Sequence, residues 1–328
     1  MQKLIIIALL GLSLCVFDIE RQAKLAHKVN KLKTTWTAQV YDRDFTPLLG
    51  AILGHNDLPV KNIEISNDLP ESFDLRDEHP ECSSLKEIRD QANCGSCWAF
   101  GAAEVMSDRI CIASKGTLQT RVSPQDLVTC CTSCGFGCRG GYPSAAFSFW
   151  KSKGVVTGGL YGDTETCKPY FLPPCAHHGA SGYEPCPATV GTPSCEKSCQ
   201  EGYPKTYSED KTYGASAYSI QDNEQAIMTE IKENGSVEAA FEVYEDFLLY
   251  AGGVYQHTSG SYLGGHAIKL IGWGVENGNK YWIAVNSWNE KWGENGTFKI
   301  LKGEDECGIE SEIVAGKPKL EGMNYFLE

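Results

Sequence analysis

Four side chains in this 328-residue chain have the types and spacing for nucleophilic catalysis: Gln91, Cys97, His266 and Asn286. Cysteine attacks as a thiolate, and its ordinary pKa of about 8.5 must fall before it works near neutral or acidic pH. A helix N-terminus lowers it, and so does a nearby imidazolium. Cys97 opens a stretch that reads as helix, which supplies the first influence. His266 supplies the second, and the Asn286 carboxamide orients the imidazole by accepting from its other nitrogen. Gln91, with the backbone N–H of Cys97, forms a donor pair for the oxyanion of acyl transfer. The competing chemistry of Cys94-Gly95-Ser96-Cys97 is a redox dithiol or half of a zinc site. A redox motif of that kind wants a βαβ setting, which this chain lacks, and Gln91 and Trp98 have no redox rationale.

Positioning these groups takes both helices and strands. Residues 94–150 read as helical, with an apolar run at Ala99 to Ile110 and a start signal at Ser123-Pro124-Gln125-Asp126. From Cys167 to Cys199 the chain is rich in Cys, Pro and Gly without periodicity, as in a bridged loop. A further helix is predicted over Asn223 to Asn234, ended by Gly235. Beyond it, strands are predicted at Ala267 to Trp273, Tyr281 to Val285 and Thr297 to Leu301. A helical half followed by a β half predicts an α+β fold of two lobes with a cleft between them.

Composition bounds the partners and the compartment. With 29 Lys+Arg against 42 Asp+Glu the chain carries −13, which argues against nucleic acid. Fifteen cysteines suit an oxidising route, and the odd count leaves at least one thiol unpaired. Leu4 to Val16 has the length of a signal-peptide core, so residues 1–17 are expected to be removed; no second run is long enough to span a membrane. From residue 18 to 68 there is no strand pattern, but Leu25, Val29, Leu32 and Trp36 recur at helical spacing. Arg21, Lys24, Lys28, Lys31 and Lys33 make this helix basic, whereas 35 acidic residues face 21 basic ones from Leu69 onward. The two parts should attract each other and separate as carboxylates protonate.

The motifs Cys94-Gly95-Ser96-Cys97-Trp98, Leu69-Pro70-Glu71-Ser72-Phe73-Asp74, Cys138-Arg139-Gly140-Gly141-Tyr142-Pro143, Gly272-Trp273-Gly274-Val275-Glu276-Asn277 and Cys307-Gly308-Ile309-Glu310-Ser311-Glu312 resemble the cathepsin B-like branch of the papain-like cysteine peptidases. The resemblance covers most of the chain, leaving out Leu320 to Glu328. It implies a papain-like fold with a helical N-terminal lobe and a β-barrel-like C-terminal lobe over residues 69–328. An inhibitory propeptide over 18–68 would block Cys97, with Gly50 near the nucleophile. His266 and Asn286 lie 169 and 189 residues beyond Cys97, farther than the roughly 130–150 of the general pattern, which points to an insertion.

That insertion, about 172–190, matches the occluding loop of the family, in which His177 and His178 would bind a substrate's C-terminal carboxylate and so release dipeptides. The family's first loop anchor matches Asp90 and His177. The second falls on Tyr183 and Lys291, which cannot make the ion pair, so a looser loop and more internal cleavage are expected. Glu312 would lie at the bottom of the pocket for the second residue before the cut. Gly140, Gly141, Tyr142, Pro143, Ala240, Ala267 and Trp288 match other substrate-lining positions.

The resemblance also implies the pairs Cys82–Cys111, Cys94–Cys138, Cys130–Cys195, Cys131–Cys134, Cys167–Cys199 and Cys175–Cys186, leaving Cys307 unpaired and buried. Asn234 and Asn295 open glycosylation sequons, the second expected to be the less accessible. Protein and peptide substrates, the chain's own propeptide and cystatin-type inhibitors are the implied partners, with no cofactor and no metal, in a lysosome or an extracellular digestive space. A catalytically inactive papain-like binding protein is the alternative of another class, and it predicts a damaged site.

Overall fold

The computed structural model describes residues 19–41, 44–175, 183–186 and 190–321. The expected signal segment, His177, His178 and residues 322–328 lie outside them.

Six helices are described: α1 (residues 19–32), α2 (Leu75–Glu78), α3 (Cys97–Ala113), α4 (Pro124–Cys130), α5 (Pro143–Lys153) and α6 (Glu224–Asn234). Local chemistry accounts for their ends. Ser123 accepts from the Asp126 N–H ahead of Pro124 in α4, and Asn223 accepts from the Ala226 N–H ahead of α6. Gly235 at φ +98° closes α6, in a conformation that glycine adopts without a Cβ clash. Residues 97–111 of α3 are buried all round, because this helix runs between the two lobes.

The described strands are β1 (Trp36–Ala38), β2 (Val60–Lys61), β3 (Phe73–Asp74), β4 (Tyr218–Ile220), β5 (Val237–Tyr244), β6 (Tyr250–Tyr255), β7 (Tyr262–Glu276), β8 (Asn279–Val285), β9 (Thr297–Leu301) and β10 (Ile313–Ala315). They pair in the order β1-β6-β9-β8-β7-β5-β10-β4-β2, with β3 on β7. One core, with Trp273, Trp282, Trp292 and Phe298, backs this sheet, and a second, with Trp98, Met106, Phe147 and Trp150, fills the helical lobe. A small cluster of Ala51, Cys97, Ala240 and Ala267 sits apart from both.

Residues 18–68 depart from the sequence expectation in two ways. Trp36 belongs to strand β1 rather than to the helix, and Leu32 is 56% exposed while Ala26 and Val29 are buried. Strand β1 alternates buried, exposed, buried over only three residues and β2 has two, too few to show a period in the sequence, and their partners β6 and β4 supply the ladder. Charge plays a smaller part in docking than the basic helix suggests. Arg21 pairs with Glu245 and Lys28 donates to Ser259, but Lys24 pairs with Glu20 inside the helix. Rings do more: Trp36 packs on Tyr250 and Tyr255, with centroids 6.2 and 5.1 Å away, and Phe45 stacks on Trp288 at 4.9 Å. Gly253, at φ +87°, makes the first contact possible, since a Cβ there would lie 2.5 Å from the Thr35 carbonyl oxygen.

Candidate active site

Cys97 is the first residue of α3, so its side chain stands at the positive end of a long buried helix. The first turn is held in place by the Cys94–Cys138 disulfide and by Gly95, whose N–H donates to the Cys138 carbonyl at 2.9 Å. His266 and Ala267 lie on β7, across the ladder from Phe241 and Ala240 of β5. The Ala267 N–H points to the Cys97 sulfur. Asn286 follows the end of β8, placed by its own N–H, which donates to Gly296.

His266 Nε2 is 2.8 Å from Asn286 Oδ1, and that oxygen also accepts from the Ser287 N–H at 2.8 Å. An atom accepting from a backbone N–H is the carboxamide oxygen, so Nε2 carries the hydrogen. Nδ1 has no hydrogen-bond partner among the described residues and presents a lone pair. Trp288 covers the ring at 4.7 Å and keeps water from the Nε2–Asn286 bond. Both His266 and Asn286 are fully buried.

Gln91 is held from both ends. Its Oε1 accepts from the Ser287 hydroxyl at 2.7 Å, and its Nε2 donates to the Cys94 and Leu48 carbonyls at 2.8 and 2.9 Å. The second acceptor belongs to the N-terminal segment, which continues across the nucleophile. Gly50 N–H donates to Cys97 Sγ at 3.3 Å. Gly50 C=O then accepts from Gly141 at 2.8 Å, Ala51 N–H donates to Gly265 at 3.1 Å, and Ile52 N–H donates to Gly141 at 2.9 Å. The segment is a strand laid between the lobes, parallel to the Gly141 side and antiparallel to the Gly265 side.

That covering gives the nucleophile a different state from the one attack requires. Burial pushes the Cys97 thiol up to about 11, against the Ala267 and Gly50 amides that favour the thiolate. Burial likewise pulls His266 down to about 4, despite its bond to Asn286. With the cleft filled, the couple is a neutral thiol beside a neutral imidazole.

The remaining substrate-lining positions gather around the same strand. Gly140 is at φ +110°, and a Cβ on Gly141 would lie 2.5 Å from the Cys134 carbonyl oxygen. Tyr142 packs on His55, and Pro143 starts α5. Leu53 packs on Ala51, Cys97, Ala240 and Ala267. Glu312 accepts from the Gly54 N–H at 2.8 Å, and its carbonyl accepts from Ala240. At the other end of the cleft, Asp90 accepts from Asn289 at 3.1 Å and from the Cys175 N–H at 3.4 Å. Lys291 pairs instead with its surface neighbour Glu290 at 3.0 Å. Sequence reasoning places Ser287 in the stretch Asn286-Ser287-Trp288 without a role and misses Asn289, which follows that stretch, and Phe45, which lies in no motif.

Among the described residues six disulfides form, Cys82–Cys111, Cys94–Cys138, Cys130–Cys195, Cys131–Cys134, Cys167–Cys199 and Cys175–Cys186. Of the described cysteines Cys97 and Cys307 are free, and Cys307 is partly exposed rather than buried. The sequons rank in the reverse of the expected order. Asn295 is exposed in a turn at φ +53°, where a short polar side chain tolerates the left-handed region. Asn234 is half-buried and donates to Glu230, and its sequon serine, Ser236, is buried on Asp108.

Comparisons with known proteins agree with this geometry. Residues 69–317 match the pattern of the papain family cysteine proteases. The chain is 52% identical over 314 residues to the "Cathepsin B-like cysteine proteinase 6" of Caenorhabditis elegans, covering 90% of this chain and 83% of the relative. It is 57% identical over 253 residues to the "Gut-specific cysteine proteinase" of the same organism, covering 77% and 74%. Among solved structures, proCathepsin B S9 from Trypanosoma congolense superposes with a TM-score of 0.78 at 33% identity, over 90% of this chain and 97% of that one.

Proposed function

The chain belongs to the papain family of cysteine proteases, among its cathepsin B-like members, and from that premise we propose that it is the zymogen of a peptidase with both dipeptidyl carboxypeptidase and endopeptidase activity. Removal of residues 18–68, after loss of the signal segment 1–17, opens the cleft. Water then reaches Cys97 and His266, and the proton passes from sulfur to Nδ1 to give the thiolate–imidazolium pair. The thiolate attacks the scissile carbonyl carbon, and the oxyanion takes hydrogen bonds from Gln91 Nε2 and the Cys97 N–H. His266 returns the proton to the leaving amine, the C–N bond breaks, and an acyl-enzyme remains. A water molecule deprotonated by His266 hydrolyses that thioester and restores the thiol. Asn286 holds the ring throughout, and no cofactor is called for.

The observation that carries this reading is the Gln91–Leu48 bond beside the Gly50–Cys97 contact: a peptide already lies where a substrate would, with a carbonyl on the oxyanion donor. Glu312 under Leu53 favours a basic or apolar residue two before the cut, and His177 and His178 take a C-terminal carboxylate. The cathepsin B-like and gut-specific relatives favour an acidic digestive setting, a lysosome or a secreted gut fluid, and no described helix is long and apolar enough to cross a membrane. Cystatin-type inhibitors would compete with substrates for the opened cleft. The intact Gln91, Cys97, His266 and Asn286 speak against an inactive binding protein.

The test uses the trimmed enzyme on one peptide with a free or an amidated C-terminus. Release of dipeptides from the free form, with slower internal cleavage of the amide, supports the dual activity. An absolute requirement for the free carboxylate contradicts the looser loop, and no cleavage of either contradicts the enzyme.

A further inference from the structure

Ser96 immediately precedes Cys97 and is the N-cap of α3, a position from which a serine hydroxyl ordinarily accepts from the second or third helical amide. Here it makes no such bond. Its Oγ lies instead 3.1 Å from the hydroxyl oxygen of Tyr170 and 3.4 Å from the Cys94 carbonyl. The Tyr170 hydroxyl in turn donates to the Gln91 carbonyl at 2.9 Å. A carbonyl can only accept, so the single phenolic proton is committed to Gln91, and Ser96 is the donor to the phenol oxygen. The order is Ser96 O–H to Tyr170 O–H to Gln91 C=O.

The three residues are buried, and the Tyr170 ring is set edge-on against Phe100 of α3, with centroids 4.8 Å apart, and against Phe171 at 5.2 Å. Burial raises the phenol above its ordinary value, against the Ser96 bond, so the hydroxyl keeps its proton. Among the described residues the Gln91 carbonyl has no other hydrogen-bond partner. On its far side Gln91 is fixed to Ser287, whose carbonyl accepts from the Gln91 N–H at 2.9 Å and whose hydroxyl donates to Oε1. That clamp ties Gln91 to the end of β8. Tyr170 ties it to the head of α3.

These two ends matter because the oxyanion donors are Gln91 Nε2 and the N–H of Cys97, the amide formed with Ser96. Stabilising a developing oxyanion requires donors already held at the right separation, and a small misplacement is expensive. We propose that Tyr170 is a positioning residue for peptide hydrolysis: its hydroxyl sets Gln91 against the first amide of α3 without touching the substrate or the reacting atoms. The proposal rests on the peptidase reading, and it gives a role in the chemistry to the stretch between Cys167 and Cys175, ahead of the insertion. Removing the hydroxyl leaves a buried carbonyl bare and the Ser96 hydroxyl without its acceptor, so both donors are free to shift.

The experiment compares the trimmed parent with Tyr170→Phe by two measurements, hydrolysis of a fluorogenic dipeptide amide and alkylation of Cys97 by iodoacetamide. Alkylation displaces iodide from a saturated carbon and forms no oxyanion, so it reports the thiolate alone. The expected result is a kcat lower by about tenfold or more, with KM and the alkylation rate each within about threefold of the parent. An unchanged kcat overturns the proposal, and so does a parallel loss of kcat and alkylation, which marks general damage to the site. Should Tyr170→Phe not fold, Ser96→Ala removes the other end of the chain: a kcat lower by about threefold or more with alkylation unchanged supports the proposal, and an unchanged kcat overturns it. A parent that neither hydrolyses the amide nor alkylates at Cys97 overturns the peptidase reading itself, and this proposal with it.

Discussion

Gln91 Nε2 donates to the Leu48 carbonyl at 2.9 Å, so a side chain suited to an oxyanion is bound to the protein's own N-terminal segment. Two residues on, the Gly50 amide covers the sulfur of Cys97. The segment inhibits by occupying the donor and the nucleophile together. Its burial of Cys97 and His266 also removes the charge separation that attack requires.

Gly50 is the point at which this arrangement is most easily broken. A Cβ there would lie 2.0 Å from the Gly95 carbonyl oxygen, which the Cys94–Cys138 bridge holds in place. Gly50→Val should lift the segment off Cys97 and raise peptide hydrolysis by the uncut chain at least about tenfold, equivalent to about 1.4 kcal/mol of lost hold. Initial rates on a fluorogenic dipeptide substrate, with and without the substitution, measure it.

Trp36 should matter more than the basic residues around it. Its ring is buried between Tyr250 and Tyr255, with Nε1 donating to the Gln256 carbonyl at 2.9 Å. Truncating a buried Trp costs about 3–5 kcal/mol. An isolated segment carrying Trp36→Ala should inhibit the trimmed enzyme at least about a hundredfold less well, whereas Lys24→Ala, which removes an exposed pair within the helix, should change inhibition less than about threefold. Inhibition constants for the two peptides separate the contributions.

Much of this was legible in the chain. The N-caps Ser123 and Asn223 and the strand Thr297–Leu301 follow from local rules, and the placement of Cys97 at the start of α3 and of Asn286 against His266 follows from residue type and motif. The placement of residues 18–68 does not, because β1 and β2 borrow their ladders from strands more than a hundred residues away. The state of the thiol in the covered cleft is not legible in the chain either. A helix N-terminus is visible in sequence, but a filled cleft is not, and here desolvation outweighs the helix.

Glu312 should set selectivity two residues before the cut. In the closed chain its carboxylate accepts from the Gly54 N–H, next to Leu53. Glu312→Gln should lower kcat/KM for Arg-Arg substrates by about 10–100-fold, or roughly 1.4–2.7 kcal/mol, and leave Phe-Arg substrates within about threefold. A parallel loss on both would place Glu312 outside the pocket.

The sequons give an independent check on the surface. Peptide mapping of the protein secreted by a eukaryotic host should find the glycan on Asn295, which is exposed, and little or none on Asn234, which is engaged with Glu230. Asn295→Gln should remove the mass increment, and Asn234→Gln should leave it.

Labelling with a thiol-reactive peptidyl epoxide at pH 5.5 tests the central claim most directly, on the intact chain and on the same chain cut near Leu69. The predicted result is an adduct on Cys97 that forms at least about a hundredfold faster after the cut, with none on Cys307. Equal labelling of the intact and cut chains, or no adduct on Cys97 in either, would contradict a cysteine peptidase held closed by its own N-terminal segment.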